Sequence, residues 1–135
     1  MRLRASAVIL HNGSVLLIHR RKNGVEYYVL PGGKIELGET PEEAVIRELT
    51  EELGVVATVM QSIGELPLPE IDQYTYLLQC SMEEFGQPLQ WLEDRKQTDS
   101  NVYNVAWVPV HALQTLALRP KEAISYIQQV ILQGK

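Results

Sequence analysis

Glu48, Glu51 and Glu52 stand three and four residues apart within PEEAVIRELTEEL, a stretch rich in helix-forming residues. At about 100° per helical residue, such spacings place side chains on one face, so the three carboxylates are expected within a few ångströms of one another. Like charges so arranged repel. A cation would relieve that repulsion, and an all-oxygen donor set suits a hard divalent ion. A glutamate-rich helix face is in most proteins only solvated surface, so the trio has to be judged with its surroundings.

The helix that must carry these residues has signals at both ends. Thr40 suits the N-cap, Pro41 suits the first helical position, and Glu43 completes a capping box with Thr40. Gly54 supplies a left-handed stop. Between them Val45, Ile46, Leu49 and Leu53 read as an apolar stripe, with Ala44, Glu48, Glu51 and Glu52 opposite, so the glutamates should face a cleft or solvent. Upstream, aliphatic residues at 3–10 and 14–19 flank Asn12-Gly13, which predicts a tight hairpin. A short strand at 26–30 should stop at Pro31-Gly32-Gly33, read as a sharp turn. Downstream, 55–66, 74–80 and 102–108 read as strands, 83–101 as a long polar rim loop and 109–116 as a turn of helix. A final amphipathic helix over 121–132 carries Ala123, Ile124, Ile127, Val130 and Ile131. Strands outnumber helices, and the helices are separated along the chain. The expected fold class is α/β, a mixed β-sheet between helices in an α/β/α sandwich.

Composition narrows the function classes. With 135 residues, 45% of them apolar, the chain fits one compact domain over 1–135. A net charge of −5 and a pI near 5.2 argue against polymeric nucleic acid or an anionic membrane as partner, since both demand clustered Lys and Arg. An acidic protein that handles polyphosphates needs metal ions to bridge the two negative partners. Cys80 is the single cysteine, so no intrachain disulfide forms and a reducing, cytoplasmic setting is expected. The apolar run in MRLRASAVIL ends at His11 and Asn12, too early for a signal peptide or membrane span. His11, His19 and His111 lack ligand spacing and read as structural or exposed.

From Gly33 the chain reads GKIELGETPEEAVIRELTEELGV, which resembles the signature of the Nudix (MutT-like) hydrolases, G-x5-E-x7-R-E-U-x-E-E-x-G-U with U aliphatic. Gly33, Glu39, Arg47, Glu48, Leu49, Glu51, Glu52, Gly54 and Val55 occupy its defined positions. Chance agreement on that scale has a probability below roughly one in a million. The resemblance implies a Nudix-type sandwich that hydrolyses a nucleoside diphosphate linked to another moiety, using water and Mg²⁺, or Mn²⁺. It implies Glu48, Glu51 and Glu52 as metal ligands, with the Gly32 carbonyl as a further ligand. The same resemblance makes Glu48, Glu51, Glu52 and Arg47 the catalytic set, Arg47 pairing with Glu39 to hold loop and helix in register. The general base is Glu52 or a loop residue among Glu83, Glu84 and Glu93. Lys34 and Gly33 are expected near the phosphates, Glu36 as an outer metal partner or a solvated charge. Tyr103 at the cleft rim is a candidate to stack on a base, and Asn101 to recognise the nucleotide, alongside Arg95, Lys96 and Asn104.

The signature spans 33–55 and says little about the nucleotide. Downstream markers that separate subgroups fall near Pro69 and Tyr74 without fitting either an ADP-ribose or a diadenosine polyphosphate pattern. The leading expectation is a (d)NTP or modified-nucleotide pyrophosphohydrolase. ADP-ribose, nucleotide-sugar and dinucleoside polyphosphate hydrolysis are the enzymatic alternatives, and a non-catalytic nucleotide-sensing module is the alternative of another class. The expected partner is a small-molecule nucleotide. Family members are often dimers, so a homodimer is open.

Overall fold

The computed structural model describes residues 1–83 and 101–133. Its elements are β1 (Arg2–His11), β2 (Ser14–Lys22), β3 (Val25–Val29), β4 (Gly32–Lys34), α1 (Pro41–Leu53), β5 (Ala57–Leu68), β6 (Gln73–Met82), β7 (Asn101–Pro109), β8 (Leu118–Arg119) and α2 (Ala123–Gln133). Two 3₁₀ turns, Pro69–Ile71 and Val110–Thr115, join strands.

β1 organises the sheet. It runs parallel to β6 from Arg2↔Gln73 to Ile9↔Cys80, antiparallel to β4 through Arg4↔Lys34 to Ser6↔Gly32, and hairpins into β2 at its end. β6 pairs onward with β5, while β2 lies between β3 and β7, and β8 adds to β3. Residues 5–9 of β1 are buried throughout because both sheet faces are covered. Ala5, Ala7 and Ile9 join Leu16, Ile18 and Leu78 beneath Ala44, Val45, Leu49 and Leu53 of α1. Val8 joins Val15, Leu17 and Leu77 on the other face, against Leu113 and against Ala123 and Ile127 of α2. The expected mixed sheet between helices is the observed architecture. Among the described residues no helix is long and apolar enough to cross a membrane.

Several local readings differ from the structure. Asn12-Gly13 turns as expected, with positive φ at both residues, and Asn23-Gly24 makes a second such turn between β2 and β3 that the sequence reading passed over. Pro31-Gly32-Gly33 is no simple turn, because Gly32 and Gly33 enter β4 and pair with β1. β5 starts at Ala57, two residues later than expected, and α2 starts at Ala123. The expected rim loop lies outside the described residues except at its ends.

Helix α1 has the predicted caps. Thr40 accepts from Glu43 N–H at 3.1 Å, Glu43 Oε1 accepts from Thr40 N–H at 2.9 Å, and Gly54 closes the helix at φ 66°. Its faces are arranged differently from the reading. Ala44 is fully buried and Ile46 is 38% exposed. The buried arc runs from Ala44 through Val45 and Leu49 to Leu53, and at about 100° per residue Glu48 and Glu52 fall inside that arc while Glu51 falls outside it. Two of the three glutamates therefore turn toward the sheet.

Candidate active site

Room for the Glu48 carboxylate at a helix–sheet contact comes from a missing side chain on β4. A Cβ on Gly33 would land on the Glu48 carboxyl group, and one on Gly32 would overlap the Ala5 carbonyl of β1. Gly32 also sits at φ 144°, where side-chain-bearing residues are strained. Its N–H donates to Glu52 Oε1 at 3.0 Å. The other Glu52 oxygen accepts from the Tyr103 hydroxyl, which reaches in from β7. Tyr103 lies opposite Arg20 in the β2–β7 ladder, and the Arg20 guanidinium covers one face of its ring at 4.8 Å from the centroid. Tyr103 is thus turned to the helix.

Arg47 ties loop to helix. Its Nε donates to Glu39 Oε2 at 2.7 Å and its Nη2 to Glu39 Oε1 at 2.9 Å, a bidentate fork, while Nη2 also reaches the Lys34 carbonyl at 2.9 Å. Nη1 donates to Glu48 Oε1 at 2.9 Å and to Glu51 Oε2 at 3.1 Å. The guanidinium beside it, reinforced by the Glu36 N–H, holds the Glu39 carboxyl down at about 2. Glu39 first, and then Glu48, pushes the Arg47 guanidinium further up from its ordinary value.

The structure brings Glu48, Glu51, Arg47, Gly33 and the Lys34 backbone together, and joins Glu52 to Gly32 and Tyr103. The Lys34 side chain is exposed on β4, and Glu36 is exposed in the loop before α1. Glu83 is exposed at the end of β6, its N–H 3.3 Å from the Val56 carbonyl. Asn101 opens β7 opposite Lys22, but its side chain lies outside the described part, as do Glu84, Glu93, Arg95 and Lys96.

Sequence reasoning missed a cavity of about 540 Å³ lined by residues of β1, β3, β6 and β8. Arg2, Arg4, Gln73 and Arg119 bring polar groups to it, and Tyr27 and Leu30 bring apolar surface. Arg4 and Ser6 in its wall pair with Lys34 and Gly32, so the cavity adjoins the strand that holds Glu52. The Arg119 guanidinium lies 4.2 Å from the Tyr27 ring centroid. Alternation of Arg2, Arg4 and Ser6 along β1 was the available signal, but a run ending in buried aliphatics reads first as core.

Among the described residues no group of three His, Cys, Asp or Glu side chains converges as it stands on a point that would hold an ion. Glu48 and Glu51 share Arg47, and Glu52 is turned to Gly32 and Tyr103. The donor chemistry nevertheless fits a hard divalent cation. The groups are carboxylates on one helix against a glycine-lined strand, and Glu48 and Glu51 lie close enough to share one nitrogen of Arg47.

The fold is of the α/β class, and the NUDIX domain family model matches residues 1–129. The chain belongs to that family. It is similar to a Methanocaldococcus jannaschii protein named ADP-ribose pyrophosphatase, 33% identical over 95 residues that cover 68% of this chain and 56% of that one. It is also similar to the 8-oxo-dGTP diphosphatase of Escherichia coli K12, 33% identical over 102 residues covering 65% of this chain and 77% of that one. The solution structure of the E. coli ORF135 protein superposes with a TM-score of 0.69 at 25% identity, covering 98% of this chain and 89% of that one. The matched stretch thus spans little more than half of the archaeal relative.

Proposed function

We propose that this chain is a divalent-metal-dependent pyrophosphohydrolase acting on a (d)NTP or a modified nucleotide. The observation that carries the reading is the complete signature folded into one unit, with Glu48 and Glu52 laid against side-chain-free Gly32-Gly33 and Arg47 locking the approach loop through Glu39. Relatives named 8-oxo-dGTP diphosphatase and ADP-ribose pyrophosphatase support the reaction class.

Glu48, Glu51 and Glu52, with the Gly32 carbonyl, would hold Mg²⁺ or Mn²⁺. Such an ion, when bound, neutralises phosphate charge and acidifies a coordinated water. The protein's own groups do the rest. Lys34 and the backbone of Gly33 receive the polyphosphate, and the arginine-lined cavity receives the nucleoside, with Tyr27 supplying a ring. Glu52 takes the proton from water as its oxygen attacks phosphorus and the bridging P–O bond breaks, giving for a triphosphate a nucleoside monophosphate and pyrophosphate. Arg47 and Glu39 keep the loop at the helix while phosphate charge moves. Asn101 is proposed as a nucleotide contact from the start of β7.

A screen of dNTPs, oxidised dNTPs, ADP-ribose, dinucleoside polyphosphates and nucleotide sugars with Mg²⁺ or Mn²⁺ tests this. Hydrolysis of a (d)NTP class ahead of the others is the expected result. Preference for ADP-ribose or a nucleotide sugar would move the substrate, and no turnover of any of them with either ion would overturn the enzymatic reading.

A further inference from the structure

We propose that Tyr103 is a positioning residue for Glu52, holding its carboxylate in place before metal and nucleotide arrive. The inference rests on Glu52 acting in the reaction as described above. A glutamate side chain has three rotatable bonds, and ordering it costs conformational entropy. Here that ordering is done by the fold. Gly32 N–H on β4 engages Oε1, and the Tyr103 hydroxyl on β7 engages Oε2, so donors from two separate strands fix the plane of a carboxylate borne on the helix. Tyr103 is itself restrained. It packs against the core cluster beneath α1, and Arg20, directly across the β2–β7 ladder, lies over its ring. A base-stacking role would need the ring presented to the nucleotide. One face of the observed ring is instead covered by the Arg20 guanidinium, and its hydroxyl is engaged by the glutamate.

The arrangement has a chemical consequence. A hydroxyl that donates to a carboxylate leaves that oxygen its remaining lone pair, so Glu52 keeps acceptor capacity for a cation or for a proton from water while its direction is set. Tyr103 therefore acts through Glu52 and touches neither reacting atom. It contributes to turnover and to metal affinity, and little to nucleotide affinity.

The test is a double-mutant cycle on the full chain with Tyr103→Phe and Glu52→Gln, read by steady-state kinetics, by Mn²⁺ titration calorimetry in the absence of nucleotide, and by thermal melting. The expected result for Tyr103→Phe is a kcat lowered about tenfold with KM within twofold, and weaker Mn²⁺ binding. In the Glu52→Gln background the same substitution should change kcat by less than about twofold, because the group it positions is already gone. Arg20→Met, which keeps the hydroxyl and removes the cap on the ring, should give a smaller loss in the same direction and serves if Tyr103→Phe folds poorly. A raised KM with additive effects would make Tyr103 a substrate contact, and an unchanged kcat and Mn²⁺ affinity would make it structural. Either result overturns the proposal. Because Mn²⁺ binding is read without turnover, a chain that hydrolysed no nucleotide would refute the enzymatic reading and still report on Tyr103.

Discussion

Arg47 divides one guanidinium among Glu39, Glu48, Glu51 and the Lys34 carbonyl, and the charge balance of the site follows from that division. Glu39 titrates at about 2 in the folded chain, below an ordinary value of 4.5, so its contribution to stability is complete above about pH 4.5 and fades as pH falls toward 2. The melting-temperature gap between wild type and Glu39→Gln should accordingly be constant from pH 8 to about 5 and close below it; a gap that widens on acidification would contradict the assignment. Glu52→Gln should cost at least about 10²-fold in turnover with the fold intact, measured as kcat beside a melting curve. These residues were singled out in the sequence by helical spacing together with the resemblance to the Nudix signature. Their directions were not legible, because what admits Glu48 to the sheet is absent bulk at Gly33, fifteen residues upstream, and what holds Glu52 is the N–H of Gly32, twenty residues upstream.

The elements divide the two glycines' tasks. Gly32 combines positive φ with contact against the β1 backbone, so Gly32→Ala should destabilise the fold by about 1 to 3 kcal/mol or more, visible in urea unfolding. A methyl at Gly33 meets only the end of a flexible glutamate, so Gly33→Ala should keep most of the stability while turnover falls by on the order of tenfold or more through a displaced Glu48. Equal losses of stability in both variants would refute this division. Thr40, Pro41, Glu43 and Gly54 made α1 readable to the residue, since caps are written locally. β4 and β8, three and two residues long, were not readable. They have no apolar period of their own and exist because β1 and β3 offer open edges. The apolar stripe misplaced Ala44 and Ile46 because hydrophobicity favours isoleucine inside, whereas the close approach of α1 to the sheet admits the smaller side chain.

At the scale of the molecule, two helical layers enclose a sheet whose acidic site gains from any cation that binds it. Mg²⁺ at ten times its dissociation constant should stabilise the native state by about 1.4 kcal/mol, a rise in melting temperature of roughly 3 to 6 °C that EDTA reverses and Glu52→Gln diminishes. No shift in wild type at millimolar Mg²⁺ would count against metal binding at the helix. β1 was legible as a strand, but its partners β6 and β4 are set by tertiary packing that no local pattern encodes. Its parallel ladder with residues 73–80 has a temporal consequence: during synthesis the ribosome releases Ala5 to Ile9 long before their neighbour exists, and only the β2 hairpin is at hand. Closing that long loop slows refolding relative to a helical bundle of the same size, and until it closes Gly32 has no settled backbone beside it from which to grip the helix.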